Sequence, residues 1–329
     1  MKKRYYSPIM PIYLTYDNQT LQDGFGAQAL RILGIYSIAK TFRFGYIHSP
    51  ISKVIEEYSH NLQDLKEHEL QIARVNDFFA FPSTNAATGF NREFIYRNIT
   101  RKILLKLIFL NSFSTKKFLV RVLLPYGVID KMPSIYKKGV EFIHKAHPNL
   151  MRTNGNIVCH IRWGYGYLYS DQDYIKPRHL PFSYFEDAVS LVYNKRNKST
   201  LPIIVHTDLS RNDKYWKPAH PSVLENYRKL SGNKQASAIH ITGVDLEKTL
   251  RFPKNSITEI KYCDDFFSTF LDMCRAEILV MGNSTFSFLA GLINPNMVIW
   301  PQKHGNSKYP GWTSSEELGI KLRDNLLVG

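Results

Sequence analysis

At 329 residues the chain is too long for one comfortable hydrophobic core, so two domains are the expected arrangement. Its 44% hydrophobic and 22% charged content are those of a soluble globular protein, and no apolar run is long enough to span a membrane. With 43 Lys+Arg against 28 Asp+Glu, the formal charge of +15 implies an anionic partner: nucleic acid, a membrane surface or a phosphate-bearing substrate. Solvated lysines account for part of that charge without any partner.

The basic start, Met1-Lys2-Lys3-Arg4, is followed by Pro8 and Pro11 and then by polar Tyr16-Asp17-Asn18-Gln19, a pattern unlike a signal peptide or an anchor. The three cysteines are Cys159, Cys263 and Cys274, with no zinc-ligand spacing. Cys159 and Cys274 sit among apolar residues and read as buried thiols of a reducing compartment. A cytoplasmic protein, peripheral to a membrane at most, is the expectation.

In chain order, Ile12 to Tyr16 reads as a first strand. The Gly-rich stretch Asp23-Gly24-Phe25-Gly26-Ala27-Gln28 follows, and Ala29 to Ala39 has helical spacing of apolar residues. Strand, Gly-rich loop and helix in that order let the backbone approach an anionic ligand, although a simple tight turn has the same pattern. The loop is not G-x-G-x-x-G, which weakens a nicotinamide-cofactor reading. Phe44 to His48 reads as a second strand. Residues 51 to 100 are polar and helical in places, with no chemistry to name.

Arg101 to Leu110 and Lys116 to Leu124 both interleave cations with large apolar residues. That pattern fits a patch lying on an anionic membrane face, and it fits ordinary amphipathic elements packed on the first domain. A helix from Val140 to Ala146 and the stretch from Pro148 to Asn156 mark the boundary, giving domains 1–152 and 153–329.

The second domain opens on Asn156-Ile157-Val158-Cys159, a buried strand that ends in His160, Ile161 and Arg162 and turns at Gly164 and Gly166. Pro181 to Tyr193 reads as a helix and Leu201 to Asp208 as a strand. Ile239 to Thr242 is a further strand candidate. Asp264 to Cys274 reads as a helix, Glu277 to Met281 as a strand, Phe288 to Leu292 as a helix and Met297 to Pro301 as a last strand. Alternation in both halves predicts an α/β protein of two Rossmann-like domains facing a cleft.

Three strand ends turn polar: His160/Arg162, Thr207/Asp208 and Asn283/Ser284/Ser287. In a parallel sheet they fall on one edge. Arginine offers bidentate hydrogen bonds to a diphosphate, serines at a helix start serve the same oxygens, and a carboxylate such as Asp208 suits a ribose or a base. Singly, each has a plain reading: Arg162 as a salt bridge, Ser284 as a helix cap. Trp163, Tyr165, Tyr167 and Tyr169 alternate, which suits either an aromatic face for a sugar or packing. Asp171-Gln172-Asp173 is a D-x-D of the kind that holds a divalent metal with a nucleotide sugar.

His160-Ile161-Arg162 resembles the start of the H-x-R-R-x-D motif of the GDP-fucose-dependent fucosyltransferases. Met273-Cys274 followed, after the strand, by Ser284-Thr285-Phe286-Ser287 resembles the S-[ST]-F-S region of the α-1,2 branch. Asp23-Gly24-Phe25-Gly26-Ala27-Gln28 is similar to the same branch's G-G-x-G-N-Q. The resemblance covers both domains in order. Trp163 stands for the family's second arginine and Tyr165 for its aspartate, which leaves another donor, such as a UDP-pentose, open.

The resemblance implies a GT-B fold and an inverting, metal-independent transfer with no cofactor beyond the nucleotide-sugar donor. It implies donor contacts from Gly24, Gly26, His160, Arg162, Ser284, Thr285, Phe286 and Ser287; the polar strand ends add Asp208 to these, and the aromatic and acidic residues after Arg162 offer an acceptor side at Trp163, Tyr165, Asp171 and Asp173. Inversion also asks for a base on the acceptor hydroxyl, for which Asp23 is favoured over Asp171 and Asp173. A glycan or glycolipid acceptor follows. The competing class is a non-catalytic binder of anionic glycans or nucleic acid, against which the basic residues are spread rather than clustered.

Overall fold

The computed structural model describes residues 11–19, 24–52, 62–84, 89–162, 180–196, 201–207, 250–253, 258–262, 265–301 and 308–320. The chain divides into two compact units, Met1–His147 and Pro148–Gly329. Each carries its own sheet, and the chain is α/β throughout.

The first unit holds a four-stranded sheet in the order β2-β1-β4-β3, with every pairing parallel. The strands are β1 (Ile12–Tyr16), β2 (Gly45–Ile47), β3 (Arg92–Asn98) and β4 (Phe118–Leu124). Helix α1 (Phe25–Thr41) joins β1 to β2 and is buried from Phe25 to Ala39, so its sequence is apolar on all sides rather than on one stripe. Helix α2 (Leu62–Phe78) and helix α3 (Arg101–Phe113) lead to β3 and β4. A short helical turn, α4 (Tyr126–Ile129), and α5 (Lys137–Ala146) complete the unit. Helix α5 lies close on α1 because Gly139 has no side chain. A Cβ there would stand 2.4 Å from Leu33 Cδ1 and Ser37 Oγ, and the Gly139 amide instead donates to Ser37 Oγ at 3.1 Å.

The second unit holds a six-stranded sheet, β10-β9-β8-β5-β6-β7, again parallel throughout. Its strands are β5 (Ile157–Ile161), β6 (Ile203–Thr207), β7 (Thr258–Tyr262), β8 (Ile278–Val280), β9 (Met297–Trp300) and β10 (Thr313–Ser314). The chain builds outward from β5 through β6 to β7, returns to β8 on the other side of β5, and builds outward again. That is the strand order of a Rossmann sheet.

Both faces of this sheet are covered, so its central strands are buried at every position, as parallel strands require. One face packs Ile157, Cys159, Ile203, Val205, Ile278 and Val280 against Tyr184, Phe185, Ala188 and Val189 of α6 (Phe182–Arg196). Two further helices are α7 (Phe266–Cys274) and α8 (Thr285–Ile293). Asp265 caps α7 by accepting from the amides of Phe267 and Ser268 at 2.9 and 3.0 Å. Asn294 closes the other end, donating to the carbonyls of Met273 and Ala276 at 2.9 and 3.0 Å.

Four strands escape the sequence reading: β3, β4, β7 and β10, of which β4 lies in the stretch Lys116 to Leu124 that reads there only as a cation–apolar element. The thiols of Cys159 and Cys274 are free and buried, and burial pushes both up. Cys263 and the strand candidate at Ile239 lie outside the described residues. Among the described residues no helix is long and apolar enough to cross a membrane.

Candidate functional site

The order of the second sheet creates one special place. From β5 the chain leaves toward β6, and from β8 it leaves toward β9, while β5 and β8 are neighbours. The two connections part there, the arrangement that in open α/β sheets makes a crevice outside the carboxyl ends of the strands. In open α/β sheets ligands bind at such a switch point. The three polar strand ends of the sequence belong to β8, β5 and β6, which are adjacent, with Ile157, Val158 and Cys159 opposite Ile278, Leu279 and Val280, and Ile161 opposite Thr207.

The end of β8 is pressed against the end of β5. A Cβ on Gly282 would stand 2.4 Å from the His160 carbonyl oxygen and 3.2 Å from His160 Nδ1. Only glycine lets the chain pass so close before it turns into α8. The turn is then locked by its own serines. Ser284 caps α8, its Oγ accepting from the Ser287 amide at 3.1 Å, and the two hydroxyls lie 3.0 Å apart. Ser287 Oγ donates to the Gly282 carbonyl at 2.8 Å.

The two serines therefore have different places. Ser287 is fully buried and its hydroxyl is engaged inside the turn, so it shapes the loop. Ser284, Thr285 and Phe286 form the start of the helix, with Thr285 and Phe286 half-buried. A helix N-terminus at this crevice favours an anion. Arg162, half-buried, follows the last residue of β5 directly and brings a guanidinium to the same edge.

His160 is nearly buried, its ring edge-on to Phe286 at 5.6 Å between centroids. Burial lowers its pKa first, and the charges of Arg162 and His206 lower it further, to about 3. The imidazole is neutral at any physiological pH. Beside it in register on β6 stands His206. His206 Nε2 lies 3.2 Å from Asp272 Oδ2, and its Nδ1 lies 3.3 Å from the Thr269 hydroxyl. Lys261 of β7 donates to the same Asp272 oxygen at 2.9 Å. Burial opposes the charge on Asp272, but the hydrogen bonds from His206 and Lys261 outweigh it and hold the carboxyl below its ordinary range. The sequence reading passed over this row; its signal is a histidine and a lysine inside strands, opposite an aspartate on an apolar helix.

In the first unit, α1 begins at Phe25, four residues ahead of the helix expected from the sequence. Gly26 is accordingly a buried helical residue rather than part of an open loop. Gly24 occupies the cap position, exposed, and contributes no side-chain cap. Asp17, at the carboxyl end of β1, is a buried carboxylate that the sequence reading left aside, although it directly follows an apolar strand. Its amide donates to the Val122 carbonyl at 2.9 Å. Asp23, Trp163, Tyr165, Asp171, Asp173 and Asp208 lie outside the described residues. Asp208 is the residue next after Thr207, the end of β6.

No known protein family matches the sequence, and neither does any curated protein. Among solved structures, POFUT1 in complex with GDP-fucose is similar at 10% identity over 92% of this chain and 98% of that one, with a TM-score of 0.41. The E. coli heptosyltransferase WaaC with ADP is similar at 8% identity over 94% of this chain and 95% of that one, with a TM-score of 0.32. A glycosyl transferase family 9 protein from Veillonella parvula DSM 2008 is similar at 11% identity over 88% of this chain and 80% of that one, also at 0.32. All three likenesses are distant.

Proposed function

We propose that the protein is an inverting glycosyltransferase of GT-B type that takes a nucleotide-diphosphate sugar at the β5/β8 crevice. GDP-fucose is the favoured donor and a hydroxyl of a glycan or glycolipid the acceptor. The observation that carries the reading is the convergence of Arg162 and the Ser284-capped start of α8 on the switch point of a Rossmann sheet. The motif resemblance of His160-Ile161-Arg162 and Ser284-Thr285-Phe286-Ser287 to the fucosyltransferases supports it. In this reading residues 153–329 bind the donor and residues 1–152 serve the acceptor.

The chemistry follows from charge. Breaking the bond between sugar and diphosphate develops positive charge on the sugar and negative charge on the leaving group. The guanidinium of Arg162 and the N-terminus of α8 stabilise the diphosphate as that charge forms, from positions fixed before reaction. Neutral His160 and Phe286 pack beneath the same edge, and Asp208 takes a ribose or base hydrogen bond. Gly24 lets the first-unit backbone approach the donor, Asp23 takes the proton from the acceptor hydroxyl, and Trp163, Tyr165, Asp171 and Asp173 lie on the acceptor side.

The test is release of free nucleotide and glycosylated product from GDP-fucose and from a UDP-pentose, with a mixture of glycan acceptors, with and without EDTA. The reading expects product from GDP-fucose regardless of EDTA, and a fall of at least about a hundredfold in Asp23→Asn with donor binding kept. Turnover of the UDP-pentose alone overturns the fucosyl assignment, and loss of activity in EDTA overturns the metal-independent one. Unchanged turnover in Asp23→Asn removes Asp23 as the base.

A further inference from the structure

Helix α3 has the composition of a buried element and the exposure of a surface one. Its sequence, RKILLKLIFLNSF, contains no acid. Its inner side is fixed: Leu104 and Leu107 are buried, and Asn111 accepts from the Ile12 amide at 3.2 Å and donates to the Arg43 carbonyl at 3.4 Å. The opposite side carries Leu105, Phe109 and Phe113 at i, i+4 and i+8, exposed by 57%, 63% and 75%. With Arg101, Lys102, Lys106 and Ser112 they fill an outward arc of roughly 140° at the helical repeat. The rings of Phe109 and Phe113 lie 4.8 Å apart, so the stripe is a continuous ridge.

We propose that this face of α3 docks on an anionic lipid bilayer. Three large apolar side chains in a row, with three cations beside them and no acid on the helix, match a helix that lies in the interfacial plane. The ridge enters the acyl boundary and the cations meet the headgroups. A second copy of the chain is a poorer occupant. Apposing two such faces would bring Arg101, Lys102 and Lys106 of each against those of the other, in a chain already at +15. The neighbouring strand β4, which shares the cation–apolar pattern in sequence, is an interior strand with Leu119, Val120, Val122 and Leu123 buried, and takes no part. The proposal is independent of the glycosyl-transfer reading and stands or falls without it.

The experiment is co-sedimentation of the whole chain with phosphatidylcholine vesicles, with and without about one-third phosphatidylglycerol, at low salt and at roughly 0.5 M salt. Binding to the anionic vesicles is expected, falling at least tenfold at high salt and on phosphatidylcholine alone. The triple variant Leu105→Glu/Phe109→Glu/Phe113→Glu should lose it. Lys102→Gln/Lys106→Gln, which leaves the ridge and the inner face untouched, should weaken it several-fold. No binding by the native chain, or equal binding by both variants, overturns the proposal. So does sedimentation velocity showing a dimer that the triple variant dissolves, or an oligonucleotide retained where vesicles are not.

Discussion

Gly282 bears on stability and binding at once, because it is the contact through which the end of β8 is held against β5. In Gly282→Ala the new methyl meets backbone, not a flexible side chain, so the strands must part. The cost is about 1–3 kcal/mol by the usual measure of overpacking. Chemical denaturation should read that loss, and nucleotide-induced stabilisation should fall with it. Native stability in this variant would show that the close approach is not what builds the crevice. Ser284→Ala removes the cap of α8 at about 1 kcal/mol. Ser287→Ala removes one of two donors to the Gly282 carbonyl, the Ser284 amide remaining at 3.0 Å, at about 0.5–1.5 kcal/mol.

His160 has a pH signature with a definite sign. Its folded pKa is about 3, while an unfolded histidine titrates near its ordinary value of 6.5. Between these the unfolded chain holds the extra proton, so stability is full above about 6.5 and is lost as pH falls toward 3. The slope from one such group approaches about 1.4 kcal/mol per pH unit. His160→Gln should therefore be less sensitive than the native protein across that window, when unfolding free energy is followed against pH. Parallel curves would contradict the buried neutral imidazole.

At the scale of elements, Asp272 ties three of them together, reaching β6 through His206 and β7 through Lys261 from its place on α7. Its carboxyl is held below the ordinary range, so this contribution is present above the unfolded carboxylate pKa and is lost as pH falls through the folded one. Asp272→Asn should cost about 1–2 kcal/mol at neutral pH, less in acid, as seen by denaturation at two pH values.

The elements also show what a sequence can and cannot reveal. The buried strands β1, β5, β6, β8 and β9 read as strands because burial on both faces writes an uninterrupted apolar run. Of the missed strands, β4 is interior but has Arg121 inside its apolar run, and β3, β7 and β10 are sheet edges. There the exposed side is polar, as in Arg92-Glu93-Phe94-Ile95-Tyr96-Arg97, and the apolar run is broken by charges. Helix α1 starts ahead of its apolar spacing because Gly24, Phe25 and Gly26 look like a loop by composition, while packing makes Phe25 and Gly26 helical and buried. In the same way, Ser287 and Ser284 are alike as letters and both are buried, and only the hydrogen bonds divide the one engaged inside the turn from the one that caps the helix.

At the scale of the whole molecule, the charge of +15 and the two parallel-sheet units set the expectations. A basic chain attracts anions at long range, so nucleotide association should slow as salt rises. The strand order makes the polar ends of β8, β5 and β6 immediate neighbours, where the sequence places them on one edge of a parallel sheet without saying which are adjacent. The most direct measurement is the melting temperature with GDP, GDP-fucose, UDP and a UDP-pentose, for the native chain and for Arg162→Ala. A nucleotide at about a hundred times its dissociation constant stabilises by about 2.7 kcal/mol. The account predicts an upward shift with GDP and GDP-fucose that Arg162→Ala abolishes while keeping its own melting temperature. No shift with any of the four, or an equal shift in Arg162→Ala, would contradict a diphosphate at the β5/β8 crevice.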